Sequence, residues 1–150
     1  MKKKVFLGGT CNGSKWRDSI KSQLKIEYFD PVCSGEWTQE AYLRELHERE
    51  TADFVMYVIT PKMTGVYSVA EVVDDSNKRP EKTLFCFLEN DELETFSPVQ
   101  IKSLNAVAKM IAKNGGRVFV TLAEMVNFLN SFAVSDNEIR DENEPLTAIG

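Results

Sequence analysis

The chain has 150 residues, enough for one domain with a sizeable core and too few for two. Its 43% hydrophobic and 27% charged residues exclude a disordered chain. No run reaches the ~20 apolar residues of a membrane helix, and the apolar stretch before Gly8-Gly9 is too short for a secretory leader. The net charge of −5 speaks against binding a nucleic-acid polymer.

Lys4-Val-Phe-Leu-Gly8, stopped by Gly8-Gly9, predicts a first strand and a tight loop. Ser14 is the expected cap of a helix through about Lys25, followed by a strand over 26–30 closed by Pro31. A polar loop from Val32 to Trp37 leads to a helix opened by Thr38 with Glu40 and running to about Thr51. Phe54-Val-Met-Tyr-Val-Ile59 is apolar at every position, the pattern of a strand covered on both faces in a parallel sheet. The loop 60–65 and a helix from Val66 to about Asn77 come next; its outer end, with Asp74, Asp75, Asn77, Lys78 and Arg79, reads as a charged surface. A strand over 83–88, an acidic loop over 89–94 and a long helix from Pro98 to Lys113 follow, with Leu104, Val107, Ala108 and Ile111 on its buried stripe. Asn114-Gly-Gly116 stops that helix. Arg117-Val-Phe-Val120 makes a fifth strand and Leu122 to Phe132 the last helix.

Five strands alternating with five helices predict an α/β fold, a parallel sheet with right-handed crossovers and helices on both faces. The expected division is a domain over 1–133 and an acidic, mobile tail over 134–150, where Asp136, Glu138, Asp141, Glu142 and Glu144 face one Arg140. Ligands of open α/β sheets bind beyond the carboxyl ends of the strands, where strand order reverses. That selects the loops 8–14, 30–37, 60–71 and 88–97 and sets Asp53, at a strand start, on the wrong edge.

Cys11, Cys33 and Cys86 lack metal-ligand spacing and read as reduced thiols of a cytoplasmic protein. The single histidine, His47, lies in a charged helical run and reads as a solvated surface residue. Catalysis therefore falls to carboxylates. Glu71 stands out, because Val69, Ala70, Val72 and Val73 around it are all apolar. Burial raises a carboxyl's pKa and a helix N-terminus lowers it, so such a group is either a weakly solvated nucleophile or an ordinary helix glutamate. The loop Gly8-Gly-Thr-Cys-Asn-Gly-Ser14 is either an anion cradle or a tight turn, and Trp16 either stacks on a base or packs beneath it. Lys62 is a loop lysine that either meets a phosphate or is solvated.

Phe6-Leu-Gly-Gly-Thr10, Tyr57-Val-Ile-Thr-Pro61 and Thr64-Gly-Val-Tyr-Ser-Val-Ala-Glu71 together resemble the nucleoside 2-deoxyribosyltransferase-like superfamily, in order over residues 4 to 90. The resemblance implies a flavodoxin-like three-layer sandwich and cleavage or transfer of an N-glycosidic bond in a nucleoside or nucleotide. It implies Glu71 as nucleophile and, as a second acid from the preceding helix, Glu45, with Glu48 and Glu40 as poorer matches. Gly8, Gly9, Thr10, Trp16, Thr64, Gly65, Tyr67 and Ser68 would line the substrate. No metal and no cofactor are implied, and a homodimer or larger homo-oligomer is. The transferases' Asp-x-Gly-x-x-x-Glu pattern is broken, with Gly65 in the aspartate slot and Tyr67 in the glycine slot. A non-catalytic nucleotide-binding module is the alternative; FMN-dependent electron transfer fits less well, because the first loop lacks a hydroxyl-dense phosphate cradle.

Overall fold

The computed structural model describes residues 2–31 and 38–134. Cys33, the loop 32–37 and the acidic tail from Ser135 lie outside them. Five parallel strands, β1 (Lys4–Gly9), β2 (Glu27–Phe29), β3 (Phe54–Ile59), β4 (Thr83–Phe87) and β7 (Arg117–Val118), form one sheet in the order β2-β1-β3-β4-β7. The helices are α1 (Trp16–Lys21), α2 (Gln39–Thr51), α3 (Tyr67–Lys78), α4 (Pro98–Asn114) and α5 (Leu122–Asn130). This is the flavodoxin-like sandwich expected.

The core follows from the period-2 alternation of buried strands. In β3 all six residues are buried. Phe54, Met56 and Val58 join Val5, Leu7, Leu84 and Cys86 beneath α1 and α5, where Trp16, Ile20, Met125 and Leu129 pack. Val55, Tyr57 and Ile59 point the other way, to Val72 of α3 and Leu104 and Ile111 of α4. Each side chain so buried contributes about 1.5–3 kcal/mol. The α4 stripe is as expected, and Gly115 caps that helix. Helix α2 is different, with none of its own residues buried and Tyr42, Leu43 and Leu46 exposed.

Several expectations need correction. Ser14 does not cap α1, which starts at Trp16 with no side-chain cap; the Ser14 hydroxyl instead donates to Asp91 at 2.5 Å. Helix α1 also ends at Lys21, well short of Lys25. The acidic loop after β4 is a β-hairpin, β5 (Asn90–Asp91) with β6 (Glu94–Thr95). The outer end of α3 is not simply a solvated surface, because Asp75 is fully buried.

Other expectations hold. Thr38 caps α2 through its side chain. His47 is exposed. Asp53 sits at the strand-start edge, accepting from the Lys4 amide at 2.8 Å.

Candidate active site

Strand order reverses between β1 and β3, so the crevice lies beyond their carboxyl ends. Two adjoining hollows open there. One, about 220 Å³, is lined by Phe6, Gly8, Arg17, Glu45, Tyr57 and Glu71 among others. The second, about 180 Å³, is lined by the loop Gly9 to Asn12, by Met63, Thr64 and Gly65, and by Tyr67 and Ser68 at the start of α3. Gly9, Cys11 and Ser68 border both. Joined, they reach the lower part of the range of about 300–1,000 Å³ usual for ligand pockets.

Their chemistry differs. The first holds two carboxylates from facing helices, Glu45 on α2 and Glu71 on α3. Among the described residues no carboxylate lines the second, which offers loop backbone, hydroxyls and the uncapped start of α3. A larger hollow of about 510 Å³ lies beyond β4 and β7 but is lined mainly by Phe87, Leu88, Ala108, Val118 and Phe119, with Glu89 as its one carboxylate.

Glu71 reaches the first hollow because it is one turn into α3, above buried Val72. Its side chain is 15% exposed and ion-paired to Arg49, Oε2 to Nη1, at 3.4 Å. Burial pushes its pKa above the usual carboxylate range, Arg49 pulls it back, and Glu45 and Asp75 add to the rise. Glu45 is also pushed up, again by burial, with Arg49 and Arg17 opposing. Two acids share one hollow, and among the described residues Glu71 has an ion-pair partner and Glu45 has none.

The floor is set by two glycines. A Cβ on Gly8 would stand 2.6 Å from Cε1 of Tyr57, so the absent side chain leaves room for that ring. Gly9 has φ +117°, and a Cβ there would come within 2.1 Å of the Val58 carbonyl oxygen. Thr10 is buried and accepts the Thr60 amide on its Oγ1 at 3.0 Å.

Arg17, 5% exposed, donates to the carbonyls of Leu7, Gly9 and Thr10 at 3.0, 3.1 and 2.7 Å and so fixes the first loop. Asn12 bridges that loop to Thr64 Oγ1 and the Lys62 carbonyl. Asp91 of the hairpin accepts from both Ser14 and Thr60, the latter at 2.6 Å. Three loops are thereby tied into one rim.

Nine of the ten expected site residues line these hollows. Trp16 does not: its ring is buried in the core and its indole N–H donates to the Thr10 carbonyl at 2.9 Å, beneath the loop. Of the alternative acids, Glu48 turns to Lys4 at 2.7 Å and Glu40 is exposed at the start of α2. Lys62 is paired with Glu92 at 2.9 Å.

Sequence reasoning missed Arg17, Arg49, Tyr57 and Asp75. The signal for two of them was helical spacing. Glu45 and Arg49 are four apart on α2, as Glu71 and Asp75 are on α3, so each pair shares a helix face.

Among the described residues no group of three or more His, Cys, Asp or Glu is placed to hold a metal ion. Nor is any described helix long and apolar enough to cross a membrane. The family model described as "Nucleoside 2-deoxyribosyltransferase like" matches residues 2–91, from before β1 through β5, which includes Glu45 and Glu71. The chain belongs to that family. No curated protein matches it.

Proposed function

We propose that this member of the nucleoside 2-deoxyribosyltransferase-like family breaks the N-glycosidic bond of a nucleoside or nucleotide, with Glu71 as nucleophile and Glu45 as acid. The observation that carries the reading is the pair of half-buried carboxylates, from two helices, in one hollow at the reversal point of the sheet. Family membership supports glycosyl chemistry on nucleosides in general.

The chemistry is that of a retaining glycosidase applied to a C–N bond. As the bond to the base breaks, positive charge develops at C1′. The Glu71 carboxylate stabilises that charge and then bonds to C1′, while Glu45 gives its proton to the departing base nitrogen. A water, or a second base, attacks C1′ in turn; its proton returns to Glu45 and Glu71 leaves as carboxylate. With 15% of its side chain exposed, Glu71 is weakly solvated, which strengthens its interaction with the developing charge. The aspartate of the transferase pattern is replaced by Gly65, so proton delivery to the base falls to Glu45. The second hollow, with no carboxylate among its described residues, suits the sugar's 5′ end and any phosphate on it. No metal or cofactor enters the scheme, and the protein is expected to act as a homo-oligomer.

The test is a panel of nucleosides, deoxynucleosides and their 5′-monophosphates, with free base followed by chromatography. Base release that falls at least about 100-fold in both Glu71→Ala and Glu71→Gln is expected. Release that survives both substitutions removes Glu71 from the mechanism. Ligand-induced thermal stabilisation without release makes the protein a binding module instead.

A further inference from the structure

Behind Glu71 lies a buried ionic cluster that the reaction scheme does not use and that meets the first hollow through Tyr57. Asp75 is fully buried, and its two oxygens accept three hydrogen bonds and meet a second guanidinium as an ion pair. Arg49 approaches through Nε and Nη2, both at 3.0 Å; Arg79 through Nη1 at 3.1 Å; and the Tyr57 hydroxyl at 2.6 Å. A carboxylate has about four acceptor sites, and three of those of Asp75 are filled. It also carries one negative charge against two guanidiniums. Arg79 alone suffices to balance it, which leaves the charge of Arg49 for another partner.

That partner is Glu71. The side-on fork to Asp75 fixes the plane of the Arg49 guanidinium and aims Nη1 at Glu71 Oε2, 3.4 Å away. Nη2 also reaches the Glu71 carbonyl at 3.3 Å and Asp74 Oδ2 at 3.5 Å. Arg49 itself lines neither hollow.

We infer that Arg49, clamped by Asp75, is a positioning residue: it holds the Glu71 carboxylate at the wall of the hollow and balances its charge there. The inference rests on the proposed nucleophilic role of Glu71. Its physical consequence is that Glu71 stays ionised in a place where burial favours the neutral acid. Among the described residues the groups facing Glu71 are Arg49 and Glu45 from α2, Asp75 on α3 itself, Tyr57 from β3, and Arg17 and Cys11 across the hollow. Of the cations among these, Arg49 is the one in ion-pair contact with it. An adjacent guanidinium lowers a carboxyl pKa by about 1–3 units.

The experiment titrates Glu71 directly, in protein labelled with ¹³C at the glutamate side-chain carboxyl, the Glu71 signal being assigned by its loss in Glu71→Gln. Arg49→Met is expected to raise the Glu71 midpoint by about 1–3 pH units and to move the acidic limb of kcat/KM upward by the same amount. Arg49→Lys, which keeps the charge and loses the fork, should raise it less. The signal of Glu124, far from the cluster on α5, should not move. Should Arg49→Met not fold, Arg49→Met with Asp75→Asn removes both buried charges and is read the same way, with a smaller rise because Asp75 itself pushes Glu71 up.

A Glu71 midpoint unchanged in the folded variants overturns the inference, as does an activity loss uniform across pH. The two readings fail separately. If the unmodified protein releases no base, the proposed reaction falls, while the titration still decides whether Arg49 governs Glu71.

Discussion

Replacing Gly8 by alanine tests whether the floor of the hollow and the cluster behind it are one mechanical unit. Gly8 does not lie in the left-handed region, so alanine brings no backbone strain; the conflict is with the ring of Tyr57, paired opposite it across β1 and β3. The new Cβ would stand 2.6 and 2.8 Å from two ring carbons and 3.2 Å from the Met56 carbonyl oxygen. In a ring buried on every side, such overpacking costs about 1–3 kcal/mol. Moving the ring also pulls the Tyr57 hydroxyl from Asp75, a 2.6 Å bond to a charged group whose loss costs about 1.5–3 kcal/mol.

The combined effect is about 2.5–6 kcal/mol. For a chain of this size that lowers Tm by about 5–24 °C, at about 2–4 °C per kcal/mol. The assay is thermal unfolding of Gly8→Ala, Tyr57→Phe and the double variant. Since Tyr57→Phe already lacks the hydrogen bond, Gly8→Ala should cost only the overpacking part, about 1–3 kcal/mol, in that background. Equal costs in both backgrounds, or a Gly8→Ala protein as stable as the parent, would refute the coupling.

Two further outcomes follow from the rim and the acids. Asp91→Ala frees the hydroxyls of Ser14 and Thr60 and unties the hairpin from two loops; a loss of about 1–3 kcal/mol, with KM raised more than kcat is lowered, is expected from thermal unfolding and steady-state kinetics. The pH profile of kcat/KM should be bell-shaped, falling as pH drops and Glu71 takes up a proton, and falling again as pH rises and Glu45 loses one. In Glu45→Gln the alkaline fall should vanish, because no proton remains there to be lost.

The fold was legible wherever one local rule ruled unopposed. The unbroken apolar run of β3, the glycines that end β1 and follow α4, and the stripe of α4 each led to the element found. Ser14 misled because its hydroxyl has two possible uses, capping α1 or reaching Asp91 in a hairpin 77 residues away, and sequence proximity speaks only for the first. The hairpin itself escaped notice because its strands are two residues each and rich in acids.

In the site, Glu71 was visible as a carboxylate among apolar neighbours. Asp75 was not, because Asp74 and Lys78 beside it do form an ordinary surface pair, 3.0 Å apart, and of the charged residues in that segment Asp75 alone is fully buried. Trp16 was misplaced for a related reason. An aromatic residue next to a loop serves a ligand or the core equally well, and the indole N–H found a carbonyl of the loop itself.

The most direct test of the account is to look for the covalent glycosyl-enzyme. A nucleoside carrying fluorine at C2′, which slows breakdown of the glycosyl ester, is incubated with the protein, and the quenched product is digested and mapped by mass spectrometry. The account predicts one added sugar on the peptide holding Glu71, absent in Glu71→Gln. A sugar carried by Glu45 or another side chain, or base release that continues in Glu71→Gln with no adduct, would contradict it.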